Sequence, residues 1–247
     1  MATIKLKSIT DKPWTQILVV VIAGWALLQV VADGDSDPQL ATVNDSDNGP
    51  RRIDYIGANL ARKDLNRQNL AQVDFTSANL TAADLSRAVL TDADFTGANL
   101  SRAVLIRATA SGATFQAATL WSAELTRAQL DRVDLTNATL NDATLIGANL
   151  EGAALTGAKL DRAALGDAHL RGARFTNASL QRADLTRADL RGADLTNADL
   201  TRASLVGADL SGAVLDGADL TSAELEDVVY DDATVWPVGF DPATVKR

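Results

Sequence analysis

The sequence predicts a repeat solenoid, and three observations predict it. From Leu60 to Leu225 every fifth residue is Leu or Phe, with Ala110 as the one exception. Two residues before each of these positions stands Ala, except at Lys63, Gln68, Val73 and Val133. No Pro interrupts the chain between Pro50 and Pro237. An α-helix places apolar residues at a spacing of about 3.6, and a half-buried strand alternates them. A strict period of five fits neither and belongs to an architecture that is itself repetitive.

Residues 1–13 form a short basic segment, with Lys5, Lys7 and Lys12 against Asp11. Residues 14–32, WTQILVVVIAGWALLQVVA, follow without a charge. As a helix, ~19 residues span ~29 Å, about the hydrocarbon thickness of a bilayer. Lysines before the segment and Asp33, Asp35 and Asp37 after it place the N-terminus inside by the positive-inside rule. The length of the apolar run and Trp14 at its edge favour a retained transmembrane helix. A signal peptide cut after Val30-Val31-Ala32 is the alternative. Residues 33–52 are rich in Asp, Ser, Asn, Gly and Pro and read as an acidic, flexible linker.

Residues 53–227 carry the period. Stretches such as ANLTAADLSRAVLTDADF, residues 78–95, resemble the A-(D/N)-L-x-x unit of the pentapeptide repeat proteins. The resemblance implies an all-β solenoid, a right-handed quadrilateral parallel β-helix with four pentapeptides per turn. It implies that the central Leu or Phe and the Ala two before it point inward. It also implies a bacterial source, with cyanobacteria in view.

The residues supply their own check of the four-sided turn. Phe75, Phe95, Phe115 and Phe175 are separated by multiples of twenty residues. Random placement would put four such residues on one of four sides about once in 64. Thr76, Thr96, Thr136, Thr156, Thr176 and Thr196 follow the central residue on that same side and are expected to stack as a ladder. Gly152, Gly172, Gly192 and Gly212 recur every twenty residues and mark one corner. About eight and a half turns at ~4.8 Å each give a rod some 40 Å long. Ile53 and Tyr55 are read as the start of the coil. Residues 228–247 are read as its C-terminal cap: Tyr230 and Val235 keep the register once more, and Trp236 and Pro237 then break it and block strand addition.

The chain holds no Cys and one His, which leaves no material for a thiolate or a triad. His169 falls in an outward slot occupied elsewhere on that side by Asn69, Asn149, Asp189 and Asp209, among others. The repeated Asp residues are read as a solvated face. No Gly-rich phosphate loop is present. Catalysis, cofactor and metal are therefore not expected. A net charge of −9 disfavours nucleic acid as a ligand.

The basic residues are unevenly placed. Arg67, Arg87, Arg107 and Arg127 share one column, and Arg187 returns to it. Asp64, Asp84 and Glu124 lie three residues before members of the column. The column is thus either an exposed ion-pair ladder or a docking stripe for an acidic protein. Trp121, Ile106, Ile146 and Val206 occupy slots usually filled by Thr or Ser and form a second candidate contact surface. The candidate partner-binding residues are Arg67, Arg87, Arg107, Arg127 and Trp121.

Three functions compete on these residues. The first is a noncatalytic, membrane-tethered scaffold that presents its rod to another protein, such as a membrane complex, in the periplasm or thylakoid lumen. The second, which the resemblance suggests, is a DNA-mimicking inhibitor of a type II topoisomerase. The third is a Thr-array surface for ice or polysaccharide. Duplex DNA carries one charge per ~1.7 Å, so a mimic of ~40 Å would present about 24. Residues 54–227 hold 23 acids and 16 bases, a net of −7. The Thr column is single and broken by Gln116. The scaffold is the expectation.

Overall fold

The computed structural model describes residues 16–22, 25–31, 40–44 and 52–244. Four short strands come first: β1 (Gln16–Ile22), β2 (Trp25–Val31), β3 (Leu40–Asn44) and β4 (Arg52–Asp54). They form one antiparallel sheet in sequence order. Gln16 lies opposite Val31 and Ile22 opposite Trp25, while β3 meets β4 with Val43 opposite Ile53.

This corrects the helix expected over 14–32. Its described residues are strands, and the composition accounts for that: Ile17, Val19, Val20, Val21 and Ile22 are all β-branched and stiff at χ1. Length and hydropathy alone do not separate a helix from two strands. Among the described residues, no helix is long and apolar enough to cross a membrane. Residues 1–13 and most of the linker fall outside the described residues.

From Tyr55 the chain winds into a four-sided coil. Each side carries one parallel bridge to the residue twenty positions on, beginning with Asn59 over Asn79 and Asp64 over Asp84. The repeat unit follows from its hydrogen bonds. Leu60 N donates to Asn79 O at 2.7 Å, Asn79 N to Ala58 O at 2.8 Å, and Arg62 N to Thr81 O at 2.9 Å. Lys63 N closes the corner onto Leu60 O at 3.1 Å. That corner is a type II turn, which needs positive φ at its third residue. The φ is +67°, +64°, +64° and +67° at Gly152, Gly172, Gly192 and Gly212, where glycine suits it. Arg, Asn, Asp, Ser and Ala adopt the same conformation at other corners, as Arg87 does at +59°.

One backbone donor per unit remains, on the first corner residue. The Asp or Asn between Ala and Leu accepts it: Thr76 N bonds Asp74 Oδ1 at 2.8 Å, Ser86 N bonds Asp84 Oδ1 at 2.9 Å and Thr186 N bonds Asp184 Oδ1 at 2.9 Å. The recurring acids are therefore more than a solvated face; they complete the backbone pairing of the unit.

Ala and Leu fill the axis, and the central residues from Leu70 to Leu215 are buried. One side holds an aromatic stack. Tyr55, Phe75, Phe95 and Phe115 lie with successive ring centroids 5.4, 4.7 and 4.5 Å apart and nearly parallel planes. Tyr55 thus opens the coil, whereas Ile53, expected beside it, lies in β4 opposite Val43. Lys63 and Gln68 replace Ala only in the first turn, where the end of the rod is open and these positions are accessible.

At the other end the register differs from expectation. Val214 pairs with Val235, twenty-one residues on, so Asp231 is inserted. Val235 takes an outward slot and is 45% exposed, and Trp236 packs against the core in its place. The inserted Asp231 substitutes its side chain for the missing carbonyl, with Gly212 N donating to its Oδ1 at 2.9 Å. A 3-10 turn, Pro242–Thr244, closes the described chain.

Candidate partner-binding surface

The four arginines of the column sit at successive left-handed corner positions, with φ of +56° at Arg67, +59° at Arg87, +57° at Arg107 and +57° at Arg127. They lie one coil apart on the same corner, so their Cα atoms rise by ~4.8 Å per step. All four side chains are exposed. Among the described residues, none of them forms an ion pair. The expected ladder to Asp64, Asp84 and Glu124 does not form. Asp64 instead accepts from Asn66 N and from the Asn66 side-chain amide, and Asp84 accepts from Ser86 N.

Arginines further along the rod are placed differently. Arg162 makes two bonds of 2.7 Å to Asp142, and Arg187 makes bonds of 2.7 and 2.8 Å to Asp167. Each acid is the corner residue one coil earlier. The fork of the guanidinium meets both carboxylate oxygens, the strong form of the pair. Arg191 makes a similar two-pronged contact with Asp189 at 2.7 and 2.6 Å. These guanidiniums hold Asp142, Asp167 and Asp189 below the ordinary carboxylate range, and the carboxylates raise the arginines in turn. The signal for the pairs was present in the sequence as Asp at i and Arg at i+20. The pairing runs along the column and not to the acid three residues before.

Trp121 lies on the neighbouring corner, not on the column. It is 39% exposed and held on both sides. The Arg102 guanidinium lies 5.1 Å from its ring centroid, and its Nε1 donates to Asp142 Oδ2 at 3.1 Å. Arg102, Trp121, Asp142 and Arg162 form one connected run along that corner. The side between the two corners carries Val104 and Ile106, with Ile146 42% exposed at its far edge. The column and Trp121 therefore flank one side of the rod. His169 is exposed and bridged between Asn149 and Asp189. Among the described residues, no cluster of acids and histidine could hold a metal ion.

The repeated units of this coil are matched by a known family profile. The family profile "Pentapeptide repeats (8 copies)" matches residues 56–87, 83–121, 123–162, 158–197 and 193–229. The chain belongs to the pentapeptide repeat family.

Among solved structures it is similar to HetL of the cyanobacterium Nostoc sp. strain PCC 7120, a pentapeptide repeat protein involved in heterocyst differentiation regulation. The two are 35% identical over 76% of this chain and 86% of HetL, with a TM-score of 0.50. Rfr23 of the cyanobacterium Cyanothece 51142 is 36% identical over 39% of this chain and 65% of its own, with a TM-score of 0.38. QnrB1, a plasmid-mediated fluoroquinolone resistance protein, is 18% identical over 70% of this chain and 90% of its own, with a TM-score of 0.46. No curated protein matches the chain.

Proposed function

We propose that this protein is a noncatalytic interaction scaffold whose rod docks an acidic protein along Arg67, Arg87, Arg107 and Arg127. One observation carries the reading: these four arginines share one corner with no carboxylate paired to them among the described residues, while Arg162 and Arg187 on equivalent positions each hold one. Arg offers planar, bidentate recognition of carboxylates, and Trp and Arg are the residue types that anchor protein interfaces. Trp121, fixed by Arg102 and Asp142, is the apolar anchor at the other edge of the same side. HetL is described as involved in regulation, a role that contact without catalysis suits. Mimicry of duplex DNA is disfavoured, because a positive column runs along the rod.

The reading extends to location. We place the rod on the extracytoplasmic side, periplasm or thylakoid lumen, delivered by residues 14–32 as an anchor or a cleaved signal. The support is the uncharged run with lysines before it and acids after it. Insertion requires β1 and β2 to give way to a helix, because a two-stranded sheet exposes edge N–H and C=O groups that lipid cannot satisfy.

The docking half is tested by capture of partners from solubilised membranes with the wild type, Arg87→Glu/Arg107→Glu and Arg87→Lys/Arg107→Lys. The double Glu chain should lose a partner that the wild type holds, by roughly tenfold or more, and the double Lys chain should recover only part of it. Equal recovery by all three removes the stripe. The location half is tested by carbonate washing and protease added from the cytoplasmic side. Retention with a protected rod supports the anchor, and a mature chain starting at Asp33 supports the signal. A rod digested by cytoplasmic protease reverses the orientation.

A further inference from the structure

Among the described residues, the C-terminal end of the coil is closed on only part of its perimeter. Past the Asp231 insertion, Val235 completes the ladder over Val214, and Trp236 and Phe240 stack with ring centroids 4.8 Å apart and pack against the core. Among the described residues, the two sides built on Leu220 and Leu225 receive no further strand. One coil earlier, Leu200, Arg202, Leu205 and Gly207 donate their backbone N–H groups to Asp219, Thr221, Glu224 and Glu226 at 2.8–3.0 Å. Among the described residues, the equivalent N–H groups of Leu220, Ser222, Leu225 and Asp227 find no backbone acceptor. Leu220, Ala223 and Leu225 are also only partly buried, unlike the central residues above them, and Val229 is 52% exposed. A shallow hollow of about 410 Å³ is lined by Asp227, Val228, Val229 and Tyr230. The cap expected to block strand addition does so on the Trp236 side and leaves this edge open.

Charge distinguishes the edge further. Between Ala203 and Val245 the chain has nine acids and no base, and the remaining 23 acids balance the 23 bases. The whole net charge of −9 therefore resides in this segment. Asp219, Glu224 and Asp227 lie on the turn that carries the open edge.

We propose that this edge is a strand-addition site for a basic, extended segment of another protein. Carbonyls of the incoming strand would accept from Leu220, Ser222, Leu225 and Asp227, its apolar residues would cover Leu220 and Leu225, and its cations would face the acids. Unpaired edges recruit strands, and strand addition draws affinity from main-chain bonds and specificity from side chains. A second copy of this chain fits less well. Two copies meeting through this one face set Asp219, Glu224 and Asp227 against themselves, because a two-fold contact uses the same patch twice.

Hydrogen exchange of the full chain tests this directly, read by mass spectrometry over residues 218–228. The probes are a synthetic peptide alternating Lys and Val and a matched peptide alternating Glu and Val. The Lys/Val peptide should slow exchange in this segment by roughly tenfold. The protection should weaken on raising the salt and be largely lost in Glu224→Gln/Asp227→Asn, whose melting should match the wild type because both residues are exposed. Three results overturn the proposal: no protection by the Lys/Val peptide, equal protection by the Glu/Val peptide, or protection that rises with protein concentration in the absence of either, which would assign the edge to a second copy.

Discussion

The rod presents arginine in two ways on one scaffold. In the turns of Arg67 to Arg127, each guanidinium has another arginine one coil away. In the turns of Arg162 and Arg187, the residue one coil earlier is Asp142 or Asp167, and the pair closes through two bonds. Backbone, exposure and corner geometry are alike in both regions, with φ of +57° at Arg107 and at Arg187. The difference lies only in what the sequence places twenty residues before. A side chain on this surface is governed by its column, not by its sequence neighbours. Two unit charges about 5 Å apart in water repel by somewhat under 1 kcal/mol before salt screening. A stable core tolerates that, and a partner's carboxylates can exploit it.

The core is the control for this contrast, because it is the same beneath both regions. Leu105→Asp, under the unpaired column, and Leu185→Asp, under the paired one, each bury an unpaired charge at a fully enclosed position. Each should cost about 3–5 kcal/mol in denaturant melts. A large loss at one and little at the other would mean that the two regions differ inside as well as outside.

Acid should act unevenly. Asp142, Asp167 and Asp189 have folded pKa values below the ordinary 3.8, through their bonds to Arg162, Arg187 and Arg191. A depressed carboxylate contributes its stability in full above the ordinary value and loses it as pH falls through the folded one. Protection from exchange in residues 142–209 should therefore fall below about pH 4. The turns of Arg67 to Arg127 have no such pairs and should change less. Equal changes in both regions would count against the pairing.

Much of this was legible in the sequence. The period of five and the single Phe side follow from spacing, because a solenoid repeats one local solution, and the inward Ala and Leu follow from the resemblance that the spacing carries. Three things were hidden for physical reasons. The apolar segment at 16–31 is equally compatible with helix and strand by hydropathy, and its β-branched residues favour the latter. The extra residue at Asp231 is invisible while Val235 still falls on a multiple of five. The role of the acids needed the hydrogen-bond pattern, which shows that one donor per unit is left for Asp or Asn. That last point gives a smaller test. Asp94→Ala removes the acceptor for Thr96 N and the partner of its hydroxyl and should cost about 1 kcal/mol. Val104→Ala, an outward slot that caps nothing, should cost less. Both are read from denaturant melts, and the reverse order would deny the capping role.

The smallest effect is also the most direct test of the contrast, and it needs no partner. Thermal melts of the full chain compare Arg87→Glu/Arg107→Glu with Arg162→Glu/Arg187→Glu. Each pair replaces two exposed arginines at left-handed corners, so backbone strain is matched. Reversal at Arg162 and Arg187 sets a carboxylate against Asp142 and Asp167 and should lower the midpoint. Reversal at Arg87 and Arg107 turns two of the column's three like-charge contacts into opposite-charge ones and keeps the third, between the two new Glu, so it should leave the midpoint unchanged or slightly raised. A midpoint lowered as much by the Arg87 and Arg107 pair as by the other would show that the column already serves the fold, and would contradict its assignment as a free docking surface.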